Sequence, residues 1–176
     1  METNATKIDP NTLIASFKDR TKMHIDLVNK YAHMLGIEFP DHDCDKFNPD
    51  VIGGYVYSIC SKEQKDLLTK EQIDAYNNAT LLHITTNKHH PEYWNGSMIT
   101  DFDRANPPQG IDATSMSKIA MLEMCCDWCA MSEELGNTPF EWFDKVNGTR
   151  WLFSTEQIDF ISSTLQMLWP EGRINA

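Results

Sequence analysis

The sequence predicts an all-α protein folded as a single compact domain. Apolar residues recur at helical spacing in the longest patterned stretches, and Ser/Thr-x-x-Glu/Gln capping signals open three segments. Glycine or proline then closes these stretches. At 176 residues and 41% apolar content the chain is the size of one domain, large enough to bury a core without disulfides or structural metal. No internal repeat, low-complexity tract or linker divides it. One domain therefore spans residues 1–176, with its core between about 12 and 168.

Leu13, Phe17, Arg20, His24, Leu27, Tyr31 and Leu35 predict a helix over about residues 12–35, ended by Gly36. His24 falls on its apolar stripe, whereas His33 lies half a turn away and should face solvent. A loop through Pro40 delivers the doublet His42-Asp43. Asn48-Pro49-Asp50 reads as a cap with proline at the first helical position, opening a helix weakened by Gly53-Gly54. Thr69-Lys70-Glu71-Gln72 has capping-box spacing and opens a helix to about His89, just before Pro91. Asn95 to Thr114, with Gly96, Pro107, Pro108 and Gly110, is the longest irregular segment; it reads as a loop over the site or a short hairpin around Met98–Phe102. Ser115 to Leu135 reads as a helix closed by Gly136. Two more capping boxes follow, at Thr138-Pro139-Phe140-Glu141 and Ser154-Thr155-Glu156-Gln157. The last helix carries Ile158, Ile161, Leu165 and Leu168 on one face.

Lys and Arg total 15 against 26 Asp and Glu, a net charge of −11. That balance argues against nucleic-acid polymers and anionic membranes, which the average surface would repel. The apolar runs are too short to span a membrane, and Met1 to Ala15 lack the pattern of a secretory signal. Five cysteines, three of them in Cys125-Cys126-Asp127-Trp128-Cys129, read as reduced core thiols of a cytoplasmic protein. Cys126-x-x-Cys129 lacks the second pair that a zinc site needs and the α/β context of a redox motif.

The chemistry concentrates in histidines and aspartates. A divalent metal used in hydrolysis needs neutral imidazoles and carboxylates, with a position left for water or substrate. His24, His42, Asp43 and Asp127 supply that set from three separate elements. Alone, His24 reads more often as a hydrogen-bonded core residue than as a ligand, and Asp127 as a common surface acid. The doublet followed by Lys46 says more, because carboxylate, imidazole and ammonium within one turn suit a metal–phosphate site. His83, Asn87 and His90 share a face if the helix continues through them; Pro91 leaves open whether His89 or His90 turns inward. Glu123 lies one turn before Asp127 and suits a ring orienter, a general acid/base, or half of a solvated stripe with Glu134. Tyr93-Trp94 could line a pocket for a flat ligand.

The pattern His24 … His42-Asp43-x-x-Lys46 … Asp127 resembles the HD-domain superfamily of metal-dependent phosphohydrolases. The resemblance implies an all-helical fold whose first histidine, His-Asp pair and late aspartate bind a divalent transition metal (Mn, Fe, Co or Zn). Members with extra central histidines hold two ions, a role open here to His83 with His89 or His90. Known activities include nucleotidases, triphosphohydrolases and cyclic-nucleotide phosphodiesterases, and a smaller branch uses a di-iron centre for oxygenation. The segments His42-Asp43-Cys44-Asp45-Lys46-Phe47, His83-x(3)-Asn87-x-His89-His90-Pro91-Glu92-Tyr93-Trp94 and Glu123-Met124-x-x-Asp127-Trp128 are also similar to a small family of uncharacterised bacterial and phage proteins, over roughly residues 20–135. Only eighteen residues separate His24 from His42, fewer than is usual in the superfamily, and nuclearity stays open.

The leading expectation is a phosphoester hydrolase acting on a nucleotide or similar small phosphorylated metabolite. Asp43, Lys46 and Glu123 are its candidate catalytic residues. Lys46, Lys88, Arg104, Tyr93 and Trp94 are its candidate substrate contacts. The alternatives are an HD-type di-iron oxygenase and a non-enzymatic, metal-stabilised binding protein of phage origin, working in the host cytoplasm. Acidic helical domains of this kind often pair through long helices, so a homodimer is compatible with the sequence.

Overall fold

The structure, a computed structural model, describes residues 10–60 and 62–170. The first nine residues, on which part of the signal-peptide reading rests, lie outside the described residues. The fold is all-α. Its helices are α1 (Pro10–Met34), α2 (Pro49–Tyr55), α3 (Lys62–Lys65), α4 (Lys70–Thr86), α5 (Pro91–Trp94), α6 (Lys118–Leu135), α7 (Pro139–Val146) and α8 (Thr155–Leu168), with 3₁₀ turns at Cys44–Phe47 and Val56–Ile59. No helix among the described residues is long and apolar enough to cross a membrane.

The caps explain most boundaries. Thr69 and Ser154 each close a full capping box, with Gln72 and Gln157 as the reciprocal partners. Asn48 accepts from the Asp50 N–H, Thr138 from the Glu141 N–H and Ser117 from the Ala120 N–H. Gly36 and Gly136 end α1 and α6 at φ 70°, the left-handed conformation that a side chain disfavours. Helix α4 stops three residues before the expected end at His89. Pro91 excludes α geometry from His90, which is extended at φ −97° and ψ 131°. The chain then restarts as α5, a helix absent from the sequence reading.

Two other expectations are corrected. No hairpin forms around Met98–Phe102; instead Ile111–Asp112 (β1) pairs in parallel with Trp151–Leu152 (β2). Gly54 does not simply weaken α2. It permits close passage of α4, since a Cβ there would lie 2.4 Å from the Ala75 carbonyl oxygen and 2.9 Å from Ala79 Cβ.

The main core packs α1, α6 and α8 together, with Tyr31, Met124, Ile161, Leu165 and Leu168 fully buried. A second apolar cluster, including Phe17, Tyr55, Val56 and Tyr76, joins α1 to α2 and α4. Polar histidines sit between these two clusters, on inward faces of α1, α4 and the segments flanking them.

Candidate metal centre

Helix α1 buries Phe17, Thr21, His24, Val28 and Tyr31 along one stripe, which aims His24 at α6. His33 is exposed, as its position half a turn away predicts. The Asn29 side chain pairs with both the N–H (2.7 Å) and the carbonyl (3.1 Å) of Phe39, tying the following loop to α1. That loop delivers His42 and Asp43, each 2% exposed. Asp43 has φ 58°, which is left-handed, and its side chain makes no cap bond to the helical turn it precedes. Its carboxylate points into the histidines instead. Strain at a single buried acid suggests a chemical use for it.

Asp43 Oδ1 lies 3.2 Å from His83 Nε2, 3.7 Å from His89 Nε2 and 3.8 Å from His42 Nε2. Its Oδ2 lies 3.8 Å from His24 Nε2 and accepts from Lys46 Nζ at 2.6 Å. Burial alone would raise the Asp43 carboxyl, but Lys46, His42 and His83 outweigh it and hold it well below the usual carboxylate range. Two ligand groups flank this carboxylate. His24, His42 and Asp127 offer atoms within 4.8 Å of one another, and so do His83, His89 and His90.

Behind the rings stands a row of carboxylates. His24 Nδ1 donates to Glu134 (2.6 Å), and His42 Nδ1 donates to Glu123 (2.9 Å). His83 Nδ1 donates to Asp45 (2.8 Å), and His89 Nδ1 lies 3.3 Å from Glu123. With Nδ1 protonated, Nε2 carries the free lone pair of a neutral ring. The Nε2 atoms of His42, His83, His89 and His90 are all buried without a hydrogen-bond partner among the described residues, as is Asp43 Oδ1. Burial pushes His90 well below its ordinary value, with His89 and His83 adding to the effect, and burial also lowers His89. The Nε2 atoms of His42, His83 and His89 within 3.8 Å of Asp43 Oδ1 in a buried space fit a cation. These buried His/Asp groups could hold a metal ion.

His24 is already cationic. Burial opposes its charge, yet hydrogen bonds to Asp127 and Glu134 outweigh that and raise it to about 9. A ring donating from both nitrogens holds two protons, so in this arrangement a proton occupies the place on Nε2 that a metal would take.

A family model matches residues 13–167, spanning every ligand candidate from His24 to Asp127. The chain belongs to that family, DUF5662, a family of unknown function. No curated protein and no solved structure shows significant similarity to it.

In this DUF5662 chain the structure brings together all seven expected metal ligands, and His89 and His90 both turn inward, His89 from a turn and His90 from extended backbone. Lys46 joins them. Glu123 lies behind the rings, where His42 and His89 hold it at about 2, so it positions imidazoles rather than touching a reacting group. Lys88 is exposed and lines, with Glu123, His42 and His89, a second depression of about 350 Å³ that also reaches the cluster. Tyr93 is exposed, and Trp94 packs on the main core with its indole N–H on the Lys88 carbonyl. Neither aromatic lines the large cleft that opens onto the cluster, so the expected flat-ligand pocket is not built from them.

That cleft has a volume of about 890 Å³ and reaches His24, Asp43, Lys46, His83 and Asp127. Arg104 lines it, together with Arg20, Lys65, Lys145 and Arg150, which sequence reasoning missed. Asp45 and Glu134 were missed as ring partners too. Glu134 had a readable signal, since it lies seven residues, or two helical turns, after Asp127 on the same helix. Asp45 had none, because its role depends on a short 3₁₀ turn folding it back on His83.

Proposed function

We propose that this chain is a metal-dependent phosphohydrolase acting on a nucleotide or similar small phosphorylated metabolite, with a site of the HD-domain kind. The observation carrying this is the set of three unpartnered Nε2 atoms, of His42, His83 and His89, within 3.8 Å of Asp43 Oδ1, with each of these rings fixed from behind by a carboxylate. His24, His42, Asp43 and Asp127 would hold one ion and His83, His89 and His90 a second, with Asp43 between them. A divalent ion held there supplies Lewis acidity, acidifying water and polarising a phosphoryl oxygen. Lys46 adds a cation beside Asp43 on the cleft side, suited to charge developing on a transferred phosphoryl group. Glu123, Glu134 and Asp45 keep the imidazole nitrogens aimed.

A second reading, a di-iron oxygenase, is favoured by one feature: His83, His89 and His90 form an all-imidazole group that suits iron. Elemental mass spectrometry of the purified protein, beside a His42→Ala/Asp43→Ala variant, tests both readings. One or two equivalents of transition metal, lost in the variant and accompanied by phosphoester hydrolysis, is the expected result. Two irons without hydrolysis would move the assignment to oxygen chemistry. No metal, and none taken up from manganese, iron, cobalt or zinc, would overturn both.

A further inference from the structure

Of the cations that line the large cleft, Arg20, Lys65, Arg104 and Lys145 are exposed, and Lys46 is paired with Asp43. Arg150 is different. Its side chain is 17% exposed, and the carboxylate it meets, Glu92, is fully buried. One oxygen does the holding. Glu92 Oε1 accepts from Arg150 Nη2 at 2.7 Å, from Arg150 Nε at 3.1 Å and from the Trp151 indole N–H at 2.9 Å. Glu92 Oε2 is buried without a hydrogen-bond partner among the described residues. A guanidinium–carboxylate pair that serves only to tie the fold matches two nitrogens to two oxygens. Here Arg150 presents its Nε–Nη2 side alone. Its Nη1 has no partner among the described residues and is not sealed from solvent.

The guanidinium is held from a second direction as well. It lies 4.8 Å from the Trp151 ring centroid, and Trp151 stacks on Trp128 at 5.8 Å. A fixed planar fork with one edge open is the form in which arginine grips an oxyanion through two parallel hydrogen bonds. Its anchors adjoin the candidate metal centre, since Glu92 follows His90 by two residues and Trp128 follows Asp127 directly. His83, His89, His90 and Asp127 line the same cleft as Arg150. We infer that Arg150 is a substrate-contacting residue whose open Nη1–Nη2 edge binds phosphate oxygens of the molecule held in the cleft. Glu92 and Trp151 are its positioning residues. The inference rests on the phosphohydrolase reading for the identity of the anion, and it adds the protein group that recognises it.

Titration of the zinc-loaded, isotope-labelled protein with inorganic phosphate tests this, with the Arg150 guanidinium and Trp151 indole N–H signals followed by nuclear magnetic resonance. Both signals should shift saturably with phosphate and stay in place in chloride of equal ionic strength. Arg150→Gln/Glu92→Gln leaves no charge buried alone, and it should weaken the saturation read at the Trp151 indole at least roughly tenfold, the loss of one charged hydrogen bond. Arg150→Lys, a smaller demand on folding, should weaken it comparably, because an ammonium lacks the planar fork. Lys65→Ala, which removes an exposed charge from the same cleft, should leave it nearly unchanged. Phosphate that moves the ring signals of the histidines but not those of Arg150 and Trp151 would overturn the inference and leave the phosphoester reading standing. Full affinity in either Arg150 variant would do the same. Phosphate that moves neither set would overturn that reading and the inference with it.

Discussion

At His24 each ring nitrogen meets a carboxylate, and the resulting charge makes the metal-free protein sensitive to alkali. The folded ring titrates at about 9 against an ordinary 6.5. A raised value means that the stabilisation is complete below about pH 6.5 and disappears as pH climbs through 9. The metal-free protein is expected to lose stability over that window, on the order of 3 kcal/mol at most. Thermal melts in chelator would show it, and Glu134→Gln should flatten the slope; a profile level from pH 6.5 to 9 would contradict the pairing. Glu123 acts with the opposite sign. It is held at about 2, so its contribution is present above its ordinary 4.5 and fades as pH falls toward 2. With metal present, the same carboxylates aim ring nitrogens. Glu134→Gln or Glu123→Gln should weaken metal affinity by roughly 10- to 100-fold while leaving the helices intact, measured by competition with a chelating dye. The ligands were readable because the chain has only six histidines and Asp43 adjoins one of them. Asp45 and Asn29 were not, because their value lies in what they face across the fold.

At the scale of elements, local chemistry decided what could be read. Thr69, Ser154 and Asn48 act through residues two or three positions away, so their helices were visible in the sequence. Pro91 signalled the end of α4 but not where the chain would go next. The pairing of β1 with β2 involves two residues on each side, too few for any alternation to emerge. Gly53 and Gly54 separate the local effect from the tertiary one. Gly53 has nothing within 4 Å of a built Cβ, whereas Gly54 presses on the Ala75 carbonyl. Gly53→Ala should stabilise by about 0.5–1 kcal/mol through helix propensity. Gly54→Ala should destabilise by about 1–3 kcal/mol through overpacking. Urea unfolding of the two variants side by side checks the claim, and equal effects would show that α4 does not pass so close.

For the whole molecule, metal and stability should be linked. The ligands come from α1, the loop after it, the end of α4 and α6, so an ion joins elements that otherwise meet through two separate apolar clusters. At a hundredfold excess of metal over its dissociation constant the gain is about 2.7 kcal/mol. For a domain of this size that raises the melting temperature by roughly 5–10 °C. Scanning calorimetry with and without chelator measures it, and an unchanged transition would mean that the ion, if bound, is equally at home on the unfolded chain. The fold class was legible because it sums many local signals. The cleft was not, since Lys65, Arg104, Lys145 and Arg150 are scattered singly through the sequence and only the fold brings them to one opening.

The wide spread of the candidate ligands along the chain also bears on when an ion could arrive. His24 and Asp127 are separated by more than a hundred residues, and each is useless without the other. A polypeptide emerging from the ribosome has the histidines of α1 and α4 long before Asp127 is made, but no enclosure to put them in. Contacts this distant in sequence form late, after the cost of closing the intervening loops has been met. The cage is a product of folding rather than its template, so an ion held there would enter only once the chain has folded.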